Sequence, residues 1–158
     1  MHSISDPQRN NQGRHNDIMS DNRSNSENYK STLIDYWKDK SFESLEAARS
    51  DYAAGRLTPA VRNTYYACFY ALTAVLLKME KGFKKHTAVR AALHSDLIKT
   101  GMLAASWGRF YNTIFDSRHE GDYQPLVTFD KGQVEEFIKE ADDFLKEMEK
   151  LLIQSSDS

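Results

Sequence analysis

The sequence contains very little cysteine and no long apolar run. Cys68 is the only cysteine among 158 residues, so no disulfide can form within the chain, which suits a reducing cytoplasm. No stretch approaches the roughly 20 consecutive apolar residues of a membrane span, and the N-terminus lacks the apolar core of a secretion signal. We therefore expect a cytoplasmic protein that does not enter a membrane.

A strong charge of one sign is also missing. The formal net charge is -2 at pH 7, which gives no overall attraction to nucleic acid or to an anionic membrane but leaves room for a local basic patch. With 40% hydrophobic and 28% charged residues, the composition is typical of a soluble globular protein. The length fits one domain with an appendage.

The motifs of the commonest catalytic and metal sites are absent. The sequence has no Gly-rich phosphate loop, no paired-cysteine zinc spacing, no His-Glu-x-x-His and no Gly-x-Ser-x-Gly elbow. It also lacks the Glu-x-x-His pairs of a di-iron helical bundle. We therefore predict no metal site and no cofactor, and we interpret Cys68 as a small core residue rather than a nucleophile.

The strongest pattern in the sequence lies between Thr58 and Met79. Thr58 is a favourable N-cap, and Pro59 suits the first position of a helix. Apolar residues then recur at helical spacing: Val61, Tyr65, Cys68, Leu72, Val75, Leu76 and Met79. Aromatic residues widen this stripe, so the helix should be covered on several sides and lie in the middle of a bundle.

The remaining pattern predicts four further helices, at about residues 29–54, 88–100 and 106–117, and a last one after Asp130 whose apolar row runs from Val134 to Leu152. Thr87 is the predicted cap of the third helix, and Gly121 and Pro125 should end the fourth. No strand pattern competes, so the predicted fold class is all-α: an up-and-down antiparallel bundle of about five helices over residues 29–153. The polar residues 1–28 should form a disordered tail, and residues 154–158 a frayed end.

A dense group of polar residues follows the predicted fourth helix. It consists of Arg118, His119, Glu120, Asp122 and Tyr123. Arg118 comes four residues after Ile114 and continues its inward row, where an arginine needs a partner. One interpretation is a capping cluster in which Arg118 bridges to Asp122 and Tyr123. The other is a binding or catalytic site in which Arg118 holds a phosphate.

A basic segment connects the central helix to the third. It includes Lys78, Lys81, Lys84, Lys85 and Arg90. Lysines near a helix C-terminus are favoured by the helix dipole, so a solvated loop is one interpretation, and a phosphate-contacting patch is the other. A binding site would require Arg118, Arg62 and the Lys84–Lys85 pair to share one concave face.

Four short segments occur in an informative order. They are RNTYYACFYA at residues 62–71, KHTAV at 85–89, IKTGML at 98–103 and Arg118-x-x-x-Asp122-Tyr123. Together with the last amphipathic helix they resemble the HEPN domain, over about residues 29–152. The resemblance implies an antiparallel helical bundle that commonly forms a homodimer. It also implies prokaryotic partners of the minimal nucleotidyltransferase type, often in toxin–antitoxin pairs.

Many proteins of the HEPN family are metal-independent endoribonucleases. In those proteins an Arg precedes a His with four to six residues between them, and two protomers pool these residues at their interface. The arginine neutralises the phosphorane charge while the histidine moves protons. Arg118 matches the arginine, but Tyr123, Gln124 and Pro125 occupy the positions at which the histidine should fall. An Asp-Tyr ending is itself recurrent in one branch of the family.

His119 does not simply replace the missing histidine. Neighbouring side chains on a helix diverge by about 100°, so His119 can face Arg118 only if the helix has already ended. The first hypothesis is therefore a non-catalytic module that binds nucleotide or RNA phosphate and pairs with itself and with a nucleotidyltransferase. Its binding residues would be Arg118, Asp122, Tyr123, Arg62, Asn63, Lys84 and Lys85. The second is a ribonuclease toxin that uses Arg118 with His119 or Tyr123, and the third is a purely structural adaptor.

Overall fold

The structure, a computed structural model, describes residues 7–154, with side chains from residue 23 onward. Its five α-helices are α1 (Pro7–Ala53), α2 (Leu57–Lys78), α3 (His86–Ala92), α4 (Ala105–Tyr123) and α5 (Lys131–Ile153). A π-helical segment, Leu93–Ile98, continues α3. Residues 7–154 contain no β-strand, so the predicted all-α class is confirmed. Residues 1–6 of the predicted tail and 155–158 of the predicted frayed end lie outside the described residues.

The first helix begins much earlier than predicted. The chain divides into two compact units, Met1–Leu33 and Ile34–Ser158, and α1 spans residues of both. Where the sequence predicts a disordered tail, the backbone of residues 7–28 is helical, and all side chains of residues 23–29 are exposed. The exposed side chains of residues 23–29 give this stretch of α1 no packed face, and a helix without one is marginal in water. Disorder of the segment in solution therefore stays a prediction.

The helix α2 is the centre of the bundle, as predicted, and packs mainly against α5 and α4. Its buried residues include Val61, Tyr65, Cys68, Leu72 and Val75. The predicted cap is wrong, because α2 begins at Leu57 and Thr58 lies inside its first turn. The preceding link turns at Gly55 with φ of +77°, and the helix begins two residues before the predicted first position, Pro59.

The short α3 runs in the same direction as α2. His86, at its beginning, stacks on Phe69 in the middle of α2. Asp96, further along, pairs with Lys81 just beyond the end of α2, at 2.8 Å. The connecting residues 79–85 therefore return along α2 before α3 starts. The third helix also begins at His86 with Lys85 in the cap position, so the predicted capping by Thr87 is wrong.

The helix α4 continues six residues past its predicted end at Ser117. Gly121 lies inside the helix and does not end it. A Cβ at this position would lie 2.8 Å from the Phe129 ring, so the glycine permits close packing there. The helix ends at Tyr123, and Gln124 is extended with φ of -115° and ψ of 108°, as a residue before proline prefers. The polar residues 118–123, which were predicted to follow the helix, are therefore part of it.

The last helix follows its predicted pattern. The residues Val134, Ile138, Ala141, Leu145 and Met148 are buried in the core. Its C-terminal carbonyls accept hydrogen bonds from the Lys78 ammonium group, at 2.7 Å for Leu152 and 3.2 Å for Leu151, a charge that suits the negative end of the helix dipole. None of the described helices is both long and apolar enough to cross a membrane.

Candidate functional site

Arg118 lies at the inner side of the C-terminal end of α4. Its guanidinium faces two tyrosine rings of α2, with Cζ 5.3 Å from the ring centre of Tyr65 and 5.5 Å from that of Tyr66. Arg118 Nη2 donates a hydrogen bond of 3.3 Å to the Tyr66 hydroxyl. Only 18% of the Arg118 side chain is exposed, so its charge is partly desolvated. Such a guanidinium interacts more strongly with an anion than one in open water.

The carboxylate of Asp122 contacts two arginines in this region. Asp122 Oδ2 lies 3.1 Å from Arg118 Nε, an ionic contact in which the N–H is poorly aligned for a hydrogen bond. Asp122 Oδ1 accepts from Arg62 Nε at 2.9 Å and lies 2.8 Å from Arg62 Nη2. Arg118 and Asp122 come one turn apart on α4, and Arg62 comes from the first turns of α2. Two positive charges and one negative charge leave one net positive charge.

His86 completes this group of side chains. Its Nδ1 is 2.7 Å from the Tyr65 hydroxyl, and its ring stacks on Phe69 with centres 4.2 Å apart and planes 4° apart. The Tyr66 ring stands edge-on to it at 5.9 Å. Burial and, second, the positive charge of Arg118 lower the pKa of His86, so its neutral form is favoured. We call Arg62, Tyr65, Tyr66, His86, Arg118 and Asp122 the Arg118 cluster.

Two of the predicted site residues lie outside this cluster on the same helix. The rings of His119 and Tyr123 pack on each other, with centres 4.7 Å apart. Tyr123 is 66% exposed and His119 is also exposed. Because α4 is still helical at residue 119, His119 is directed away from Arg118, and the predicted contact of Arg118 with Tyr123 is replaced by one with Tyr66.

Asn63 belongs to a different contact. Its Nδ2 donates to Asp51 Oδ2 at 2.7 Å, and the other oxygen of Asp51 accepts from Arg56 Nε at 3.0 Å. These contacts connect α2 to the end of α1 and to the link between them. Asn63 therefore has a structural partner, although it neighbours Arg62 in the sequence.

Lys84 and Lys85 are exposed in the segment that returns along α2. Neither lysine side chain forms a hydrogen bond or ion pair with another described residue, although the Lys85 carbonyl accepts from the Val89 N–H at 3.1 Å. Lys85 occupies the cap position of α3 and immediately precedes His86, so its backbone is adjacent to the Arg118 cluster. Among the described residues, no group of three His, Cys, Asp or Glu side chains is placed to hold a metal ion.

His86 is the residue that sequence reasoning missed. It was present in the segment KHTAV, but its distance of 32 positions from Arg118 gave no local signal. A signal was nevertheless available, because His86 and the RNTYYACFYA segment both carry the resemblance to one family. The Tyr65 and Tyr66 rings of that segment are the surfaces that His86 and Arg118 share.

The bundle and the comparisons with known proteins agree on the class of protein. The HEPN domain family matches residues 34–151, and the chain belongs to this family. A UPF0332 protein of Thermotoga maritima is 39% identical over 125 residues, which are 79% of this chain and 95% of that protein. A Methanocaldococcus jannaschii protein named "Putative toxin MJ0142" is 30% identical over 118 residues, which are 75% of this chain and 80% of that protein.

Proposed function

We propose that this HEPN protein binds the phosphate groups of RNA or of a nucleotide through Arg118. The observation that carries the proposal is the convergence of two guanidinium groups on the single carboxylate of Asp122. Asp122 neutralises one arginine and holds the other in place. The remaining positive charge is available to an anion, and guanidinium groups suit phosphate because they donate two parallel hydrogen bonds.

Exposure decides which part of the cluster a ligand would meet first. Arg62 is 45% exposed on its side chain, whereas Arg118 is 18% exposed. A phosphate would approach past Arg62 and be held by Arg118 at the tyrosine rings. Lys84 and Lys85 add exposed positive charge next to His86 and belong to the same proposal.

The test is a titration of fluorescein-labelled single-stranded oligoribonucleotide with the purified protein, followed by fluorescence anisotropy at low and moderate salt. Arg118→Ala should abolish binding that is measurable with the wild type, and added salt should weaken the wild type. Arg109→Ala is the matched control, because Arg109 is an exposed arginine on the same helix. Equal binding by both arginine variants and the wild type would contradict the proposal.

We further propose that the protein acts as a homodimer beside a minimal nucleotidyltransferase in the cytoplasm. The support is the family membership, whose implied assembly brings the Arg118 residues of two protomers together at their interface. Static light scattering at micromolar concentration should give the mass of a dimer, and Arg118→Ala should not change it. A monomeric mass for the wild type would contradict the assembly and leave the binding proposal standing.

A second candidate function is that of a metal-independent endoribonuclease toxin. Its support is the name of the Methanocaldococcus relative and the proximity of a histidine, His86, to Arg118. Labelled total RNA incubated with the protein in EDTA would be cleaved by the wild type and spared by Arg118→Ala. Intact RNA with a folded wild type would leave the binding module as the function.

A further inference from the structure

His86 is held in one orientation by two contacts of different kinds. Phe69 covers its face at 4.2 Å, and the Tyr65 hydroxyl meets Nδ1 at 2.7 Å. Both partners come from α2, which is the most buried helix of the bundle, and Tyr65 itself is fully buried. The ring of His86 is only half-buried, so the atoms opposite these contacts can reach a ligand.

The contact with Tyr65 determines which ring nitrogen carries the proton. Burial raises the pKa of Tyr65 to about 12, so its hydroxyl keeps its proton at neutral pH. The hydroxyl of buried Tyr111 lies near that of Tyr65 and lowers the pKa of Tyr65, which is the effect of a hydrogen-bond donor and not of an acceptor of the Tyr65 proton. The Tyr65 hydroxyl therefore donates to Nδ1 of His86. In neutral His86, the ring hydrogen is then on Nε2.

The Nε2–H group of His86 has no hydrogen-bond partner among the described residues. Arg118 is close enough for its charge to act on His86, and both side chains contact the same two rings, those of Tyr65 and Tyr66. An unpaired N–H donor thus lies beside a guanidinium that has one poorly aligned N–H of its own.

We propose that His86 is a second phosphate-binding residue, whose Nε2–H donates to the phosphodiester group that Arg118 holds in single-stranded RNA. The inference rests on the proposed binding function and assigns a further ligand residue and a ligand class to the same site. In this role His86 is a hydrogen-bond donor and does not accept a proton.

The charge of the cluster favours a phosphodiester over a terminal phosphate. Arg62, Arg118 and Asp122 together carry one net positive charge, and neutral His86 adds a donor without adding charge. One positive charge balances the single negative charge of a phosphodiester. Lys84 and Lys85 directly precede His86 and are exposed, so they can meet the next phosphates of a strand. A mononucleotide offers no such second contact.

Three histidine variants test the assignment in the anisotropy titration. His86→Ala should weaken oligoribonucleotide binding about tenfold, the effect of losing one hydrogen bond to a charged group. His86→Gln can place an amide N–H near the position of Nε2 and should recover most of that loss. His119→Ala, the control on the outer side of α4, should bind like the wild type. Circular dichroism melting of each variant shows whether it is folded.

The outcomes separate the inference from the function on which it rests. Wild type that does not bind the oligoribonucleotide overturns both. Binding that is lost in Arg118→Ala but unchanged in folded His86→Ala and His86→Gln overturns the inference alone. If adenosine monophosphate competes as strongly as unlabelled oligoribonucleotide at the same concentration, the assignment of a phosphodiester as the ligand is wrong.

The pH dependence supplies an independent readout. The titratable and charged groups that face His86 are Tyr65 and Tyr66 from α2 and Arg118 from α4, with Lys85 preceding it. Because the neutral ring still donates from Nε2, wild-type affinity at pH 8 should remain within about threefold of that at pH 6. A histidine that binds phosphate only as imidazolium would contribute nothing to affinity at pH 8. A tenfold loss of wild-type affinity at pH 8, absent in His86→Ala, would therefore contradict the assignment of the neutral Nε2–H as the donor.

Discussion

The two sides of the last turns of α4 have different surroundings, although their residues alternate along the chain. On the inner side, Arg118 and Asp122 pack against α2, form ion pairs and are at most 18% exposed on their side chains. On the outer side, His119 and Tyr123 contact each other and are exposed to solvent. The comparison teaches that helical phase, rather than nearness in the sequence, decides which of these residues can act together.

The largest expected effect on stability is that of removing the shared carboxylate. Asp122→Asn would leave Arg62 and Arg118 close together without their anion, and should lower the free energy of unfolding by about 2 kcal/mol. The same change should strengthen oligoribonucleotide binding, because the cluster gains positive charge. Urea denaturation and anisotropy measure the two effects. Asp116→Asn is the control on the same helix: Asp116 is 66% exposed and lies 3.6 Å from Arg90, so its loss should change the free energy of unfolding by less than about 0.5 kcal/mol and leave binding nearly unchanged.

A smaller effect should follow from removing the hydroxyl that orients His86. Tyr65→Phe leaves the ring in the core but deprives His86 Nδ1 of its partner, which should cost about 1 kcal/mol in urea denaturation. Oligoribonucleotide binding should fall a few-fold because the tautomer is no longer fixed. Tyr70→Phe, a tyrosine of α2 whose hydroxyl makes no hydrogen bond with the described residues, is the control. Equal losses of stability and binding in the two variants would show that the Tyr65 hydroxyl does not orient His86.

The stability of the inner side should also depend on pH. The folded protein lowers the pKa of His86, so below the ordinary histidine value of about 6.5 the unfolded chain binds the proton more readily than the folded one. Stability should therefore fall as the pH is lowered through that range. His86→Gln should remove this part of the pH dependence. Melting temperatures from pH 5 to pH 8 measure it, and parallel curves for the two proteins would contradict the assignment.

Substitutions on the outer side of α4 should have the smallest effects on stability and binding. His119→Ala and Tyr123→Ala remove exposed side chains that contact mainly each other, so each should change the free energy of unfolding by less than about 0.5 kcal/mol. Neither should alter oligoribonucleotide binding. A loss of binding in His119→Ala comparable to that in Arg118→Ala would reverse the comparison and favour the ribonuclease pair suggested by the sequence.

The sequence predicted the parts of the fold that depend on strong local periodicity. The apolar stripes of α2 and α5 were clear, and so was the inward position of Arg118, since Ile114 and Asp122 lie one turn away on either side. The extension of α4 was not predictable, because Gly121 normally favours a helix end and its contact with Phe129 is tertiary.

The position of His86 could not be predicted for a related reason. It depends on the return of residues 79–85 along α2, which no local pattern encodes. The sequence close to Arg118 offers His119 as a histidine, and this residue lies on the outer side of α4. The family resemblance contained both segments but not their distance in space.

The most direct test is a long-range ¹H–¹⁵N spectrum of the histidine rings, recorded at pH 7.5 without and with single-stranded oligoribonucleotide. The account predicts that free His86 has its proton on Nε2, and that the oligoribonucleotide shifts this nitrogen in the wild type but not in Arg118→Ala. The His119 signals should stay where they are. A shift of His119 with an unchanged His86 would contradict the account and place the ligand on the outer side of α4.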